Sequence, residues 1–179
     1  MSRMAGPRRP GLPAIQIMKL HKTSHDLPEK TRRKMIGLLN QLLADVLDLQ
    51  GQAKQAHWNV KGPSFIALHE LFDKVADEVE EFADNIAERA IALGGVARGT
   101  ATVVAKESRL PKYPLDISTG REHVKALANA LASFGQPVRE AIQTASDAGD
   151  ADTADLFTDA SRGIDKLLWF VEAHGQAKD

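Results

Sequence analysis

The stretch QAHWNVKGPSFIALHELFD, residues 55–73, brings residues capable of metal chemistry close together. His57 and His69 stand twelve residues apart with Gly62-Pro63 between them, and Asp73 follows His69 by about one helical turn. Neutral imidazole combined with carboxylate suits iron, manganese or zinc. The chain has no cysteine, so thiolate sites, disulfides and cysteine nucleophiles are excluded. No Glu has a His three residues later. The Glu-x-x-His pairs that hold two irons inside ordinary four-helix bundles are therefore missing.

Four long helices are expected to position these residues. The first opens at Asp26-Leu27-Pro28-Glu29, with Asp26 as cap and Glu29 at the third helical position, and runs to about Trp58. Its apolar stripe is Met35, Leu38, Leu39, Leu42, Val46 and Leu49. The second starts at Pro63, carries Leu68, Phe72, Val75, Val79, Phe82 and Ile86 at bundle-type spacing, and ends at Gly94-Gly95. Residues 96–118 are a long crossover with room for one short helix. Thr119-Gly-Arg-Glu122 is a capping box that opens the third long helix, which Pro137 is expected to kink. The fourth buries Ala154, Phe157, Ile164, Leu167, Leu168 and Val171, with Trp169 expected in the core. Two short links and one long central crossover give an all-α, ferritin-like bundle topology over residues 26–179.

On the second helix His69, Asp73, Asp84 and Glu88 fall within about 100° of one another, roughly opposite the apolar stripe. Charged residues in that position are ordinarily a solvated face. Along the axis, however, Asp73 and Glu88 are ~22 Å apart at ~1.5 Å per residue. Asp84 and Glu88 cannot reach a metal held by His57, His69 and Asp73 of the same chain. A second copy of the helix, packed antiparallel about a two-fold axis, would bring them there and make two identical sites.

Charge is unevenly placed. Residues 1–35 hold nine Lys/Arg, including Arg3, Arg8, Arg9, Lys19 and Lys22, against Asp26 and Glu29, a net +7 on a chain whose total is -1. Residues 1–25, polar, basic and proline-rich, read as a flexible basic tail. Such an arm suits non-specific contact with nucleic-acid phosphates, and suits equally a solubilising end. If translation begins at Met18, Arg3, Arg8 and Arg9 are lost from it. No apolar run approaches the ~20 residues that span a bilayer, and no secretory signal is expected. The absence of cysteine fits a reducing cytoplasm.

The sequence resembles the Dps family of mini-ferritins. The resemblance rests on KQAHWNVKGPSFIALHELFD at 54–73, DNIAERAIALGG at 84–95, KYPLD at 112–116, DTADLFT at 152–158 and ASRGIDKLLWFVEAH at 160–174. It implies a twelve-subunit shell with an iron-oxidising site at each two-fold interface, two irons per site and a ferric mineral within. It assigns His57, His69 and Asp73 to one subunit and Asp84 and Glu88 to its partner, with Trp58 beside the site. Trp58 reads equally as interface packing. The implied reaction is Fe(II) oxidation with hydrogen peroxide preferred over oxygen. The implied location is the cytoplasm, with an association with the nucleoid where DNA is bound. Iron would enter through acidic three-fold pores, for which Asp147, Asp150, Asp152 and Asp155 are candidates. Asp152 alternatively reads as a helix N-cap.

Overall fold

The computed structural model describes residues 20–176. Its helices are α1 (Glu29–Asn59), α2 (Phe65–Ala92), α3 (Ala101–Glu107), α4 (Gly120–Asp147) and α5 (Ala151–Gln176). There is no strand among the described residues, only an isolated bridge between Lys61 and Thr119. α1 and α2 pack as one hairpin and α4 and α5 as another. The hairpins meet through α1 against α4 and α2 against α5, and the short α3 lies on α1. This is the expected four-helix arrangement with a short helix in the crossover.

The expected stripes supply the core. Met35, Leu39, Leu42, Val46 and Leu49 of α1 face Leu68, Phe72, Val75, Val79 and Ile86 of α2, while Phe134 and Phe157 fill the α4–α5 side. Gly163 allows α2 and α5 to approach closely, since a Cβ there would lie 2.3 Å from the Phe82 ring. The crossover is held by a buried carboxylate. Asp45 accepts hydrogen bonds from the Arg109 backbone N–H at 2.8 Å and from its guanidinium.

Three expectations are corrected. Asp26 does not cap α1; Pro28 takes the N-cap position with no side-chain cap, and its carbonyl accepts the first helical bond from Arg32 N–H. Pro28 has a fixed extended geometry directly before Glu29, which leaves Asp26 too far upstream. Pro137 lies inside α4, which runs as one helix from Gly120 to Asp147. Trp169 is 62% exposed and stacks obliquely on Phe170, because Ile164, Leu167 and Val171 define the inward face of α5 and residue 169 falls off it. The described part of the expected tail, residues 20–25, lies on the bundle. Leu20 packs against the core, and His21 N–H donates to the Gly94 carbonyl at 2.8 Å. Gly94 has a φ of +85° there, a conformation that favours glycine. Arg3, Arg8, Arg9 and Lys19 lie outside the described residues, whereas Lys22 is described and exposed.

The α1–α2 junction is fixed from the far hairpin. Lys61 N–H donates to Ser118 O at 3.0 Å and Gly120 N–H donates to Lys61 O at 3.2 Å, next to the Thr119–Glu122 capping box at the start of α4. Gly62, with a φ of +119°, makes the reversal.

Candidate metal centre

His57 is in the last turn of α1 and His69 in the second turn of α2. The junction stacks their rings at 3.7 Å between centroids. Each ring is then bonded to the other's backbone. His57 Nδ1 lies 2.8 Å from the His69 carbonyl and His69 Nδ1 lies 2.9 Å from the His57 carbonyl. A carbonyl only accepts, so both Nδ1 atoms carry the proton and donate. Both Nε2 lone pairs are therefore available, as a metal-binding imidazole requires.

Asp73 completes this end. Its Oδ1 lies 3.7 Å from His57 Nδ1 and 2.5 Å from Lys54 Nζ. The hydrogen bond from Lys54, with the nearby imidazoles, holds the Asp73 carboxyl below its ordinary range, and the same pair raises the Lys54 ammonium. Asp73 is thus an ionised carboxylate already occupied by a cationic head. Lys54 was not among the expected site residues. Its signal was its position one turn before His57 on the same face of α1.

The structure does not bring Asp84 and Glu88 to this group. They lie ~17 Å and ~22 Å from Asp73 along α2 by helical rise, and both are exposed. Neither makes an ion pair among the described residues, and the neighbouring Arg89 turns instead to Asp150 on the α5 side at 2.7 Å. Among the described residues no group of three or more His, Asp or Glu is disposed to hold a metal within one chain. The imidazole pair is bordered by exposed apolar side chains, namely Trp58 at 68%, Ile66 at 61% and Phe65, whose ring stands 5.1 Å from His69.

The four candidate pore carboxylates differ in state. Asp147, Asp152 and Asp155 are exposed. Asp150 is buried; its Oδ1 accepts from Thr153 N–H at 3.0 Å and from Arg89, and its Oδ2 accepts from the Thr153 hydroxyl at 2.6 Å. Asp150, not Asp152, therefore caps α5, and its oxygens are engaged within the fold. The Thr153 and Arg89 bonds hold its carboxyl below the ordinary range against the opposing effect of burial.

Comparison with known proteins places these features in a wider set. Residues 36–177 match the ferritin-like domain family. The chain is 47% identical over 161 residues to the DNA protection during starvation protein of Agrobacterium fabrum, covering 90% of this chain and 99% of that one. Among solved structures it is similar to DpsC from Streptomyces coelicolor, at 30% identity and a TM-score of 0.86, covering 92% of this chain and 97% of that one. It is also similar to the Dps protein of Vibrio cholerae O1, described as a member of a broad superfamily of ferritin-like diiron-carboxylate proteins. That match has 25% identity and a TM-score of 0.79, over 84% of this chain and 94% of that one.

Proposed function

The chain belongs to the Dps family of ferritin-like proteins, and from that premise we propose that it is a ferroxidase and iron store whose site is shared by two copies of the chain. The observation that carries this reading is the reciprocal lock between His57 and His69, which presents two Nε2 lone pairs beside Asp73 with too few carboxylates to finish the site. Asp84 and Glu88 of a partner, brought in by antiparallel packing of α2, complete it. The exposed rim of Trp58, Phe65 and Ile66 is the apolar surface such a partner would cover.

Iron is the substrate. The histidines bind neutral, the carboxylates offset the charge, and two Fe(II) ions share one site. Two Fe(II) supply two electrons to one hydrogen peroxide, which takes up two protons and leaves as two waters, without releasing a hydroxyl radical. Peroxide is the preferred oxidant over oxygen. Twelve chains form a hollow shell, Asp147, Asp152 and Asp155 draw Fe(II) toward its interior, and the ferric product mineralises there. Removing peroxide and Fe(II) together protects DNA in the cytoplasm.

The test is anaerobic Fe(II) loading followed by peroxide or oxygen, with ferric absorbance and radical trapping as readouts. Fast peroxide-driven oxidation without trapped radical, lost in Glu88→Ala, is expected. Oxidation no faster than iron in buffer overturns the reading. A second reading, an architectural nucleoid protein binding DNA without sequence preference, is favoured by the net +7 of residues 1–35. It requires salt-dependent retardation of DNA that disappears when residues 1–25 are deleted.

A further inference from the structure

Half-buried Tyr113 and buried His123 form a pair that the iron chemistry above does not use. Tyr113 comes from the crossover and His123 from the first turn of α4. The phenol oxygen lies 2.6 Å from His123 Nδ1, with the rings stacked at 6.0 Å and 21°. His123 is 1% exposed, and its Nε2 is a buried polar atom with no hydrogen-bond partner. The Asn59 carbonyl is close enough to favour the protonated ring, yet no hydrogen bond of ordinary geometry satisfies Nε2. Asn59 is the last residue of α1, two residues beyond His57.

Burial holds His123 neutral below its ordinary value, with Glu122 and the Asn59 carbonyl pulling the other way. Burial likewise pushes the Tyr113 phenol far up, so it remains protonated. A protonated phenol directed at a neutral imidazole is arranged to lose an electron and a proton together, because the proton has a base already in hydrogen-bond contact.

We propose that Tyr113 and His123 act as a proton-coupled electron donor to the shared iron site, supplying the second electron when peroxide meets a site that holds only one Fe(II). The inference rests on the ferroxidase reading. Peroxide needs two electrons to become two waters. The single Fe(II) gives one and becomes Fe(III). Tyr113 gives the other, becomes a neutral phenoxyl radical, and passes its proton to His123 Nδ1; solvent supplies the two protons taken up by peroxide. A later Fe(II) returns the electron to Tyr113 and the proton moves back from His123. A half-loaded site then yields water in place of a hydroxyl radical.

Tyr113 is the only tyrosine in the chain, so any tyrosyl radical has one possible origin. The experiment loads the full-length protein anaerobically with one Fe(II) per site, adds peroxide, freeze-quenches, and records electron paramagnetic resonance with and without ring-deuterated tyrosine. A tyrosyl signal that narrows on deuteration is expected. It is lost in Tyr113→Phe, checked to be folded and assembled by melting and size, and that variant releases more trapped hydroxyl radical. His123→Gln, which keeps a polar side chain but removes the base, is expected to weaken the signal. If the wild-type protein oxidises iron with peroxide but shows no tyrosyl signal, or a tryptophanyl one instead, this inference is overturned and the ferroxidase reading stands. If iron is oxidised no faster than in buffer, both fall.

Discussion

The two ends of α2 carry the same kinds of polar residue in opposite states. At the N-terminal end His69 and Asp73 are held by partners from α1: His57 locks one imidazole and Lys54 occupies the carboxylate. At the C-terminal end Asp84 and Glu88 face outward without an ion pair among the described residues, and the neighbouring Arg89 is held by Asp150. One end thus has organised nitrogen donors and a single carboxylate, and the other has carboxylates that no cation pairs among the described residues. Neither end is a metal site alone. Each supplies what the other lacks, which makes an antiparallel pairing of two α2 helices chemically sensible.

Removing donors from either end should give the largest effect. Asp73→Ala and Glu88→Ala are each expected to slow peroxide-driven Fe(II) oxidation on the order of 100-fold, at the upper end of what loss of a metal-site partner costs, as read by stopped-flow absorbance. Equal losses from two residues ~22 Å apart in one chain would be hard to explain unless both serve one site.

The contrast at the far end depends on Arg89 staying with Asp150. Asp150→Ala removes the α5 cap and the nearer of the two carboxylates on a mostly buried guanidinium, leaving Asp152 at 3.6 Å, so it should cost about 2 kcal/mol in urea unfolding. It should also free Arg89 beside Glu88 and lower iron oxidation. Unchanged stability would mean that the cap is dispensable.

At the near end Lys54 competes with an incoming cation for Asp73. Lys54→Ala should tighten Fe(II) binding about two- to five-fold at neutral pH, the range of a partly exposed ion pair, measured by anaerobic calorimetry. It should also let Asp73 take up a proton at a higher pH, since the Lys54 hydrogen bond is the main cause of its lowered value.

The smallest effect concerns His123. Its folded-state value is lowered, so the unfolded chain binds more protons once pH falls below ~6.5. Stability should be full above that pH and decline as pH falls toward the folded-state value. His123→Gln should flatten that part of the profile. A slope unchanged by the substitution would place the titration elsewhere, Glu122 being the adjacent charged group.

How far these features could be read in advance depended on whether they are local. The apolar stripes of α1 and α2, the capping box at Thr119 and the glycine end of α2 follow short-range rules, and the structure has them where the sequence placed them. The nearness of His57 and His69 was also visible, because a Gly-Pro break between two helices returns the chain on itself. What could not be read was pairing across elements. Asp150 and Asp152 look alike as caps in DAGDADTAD, and only the meeting of Arg89 and Thr153 with Asp150 decides between them. Tyr113 and His123 are ten residues apart across the end of the crossover, and their contact depends on how α4 begins. Trp169 is adjacent in sequence to Leu167 and Leu168, but at about 100° per residue it falls on nearly the opposite side of α5 from Ile164, Leu167 and Val171, which accounts for its 62% exposure.

The most direct measurement is complementation between the two ends of α2. Asp73→Ala and Glu88→Ala chains, each inactive alone, are unfolded together, refolded as an equal mixture and assayed for peroxide-driven Fe(II) oxidation. If sites are shared between copies, half of the two-fold pairs are mixed and one of their two sites is intact, so activity should return to about a quarter of wild type. If each chain carries its own complete site, the mixture will be as inactive as its parts.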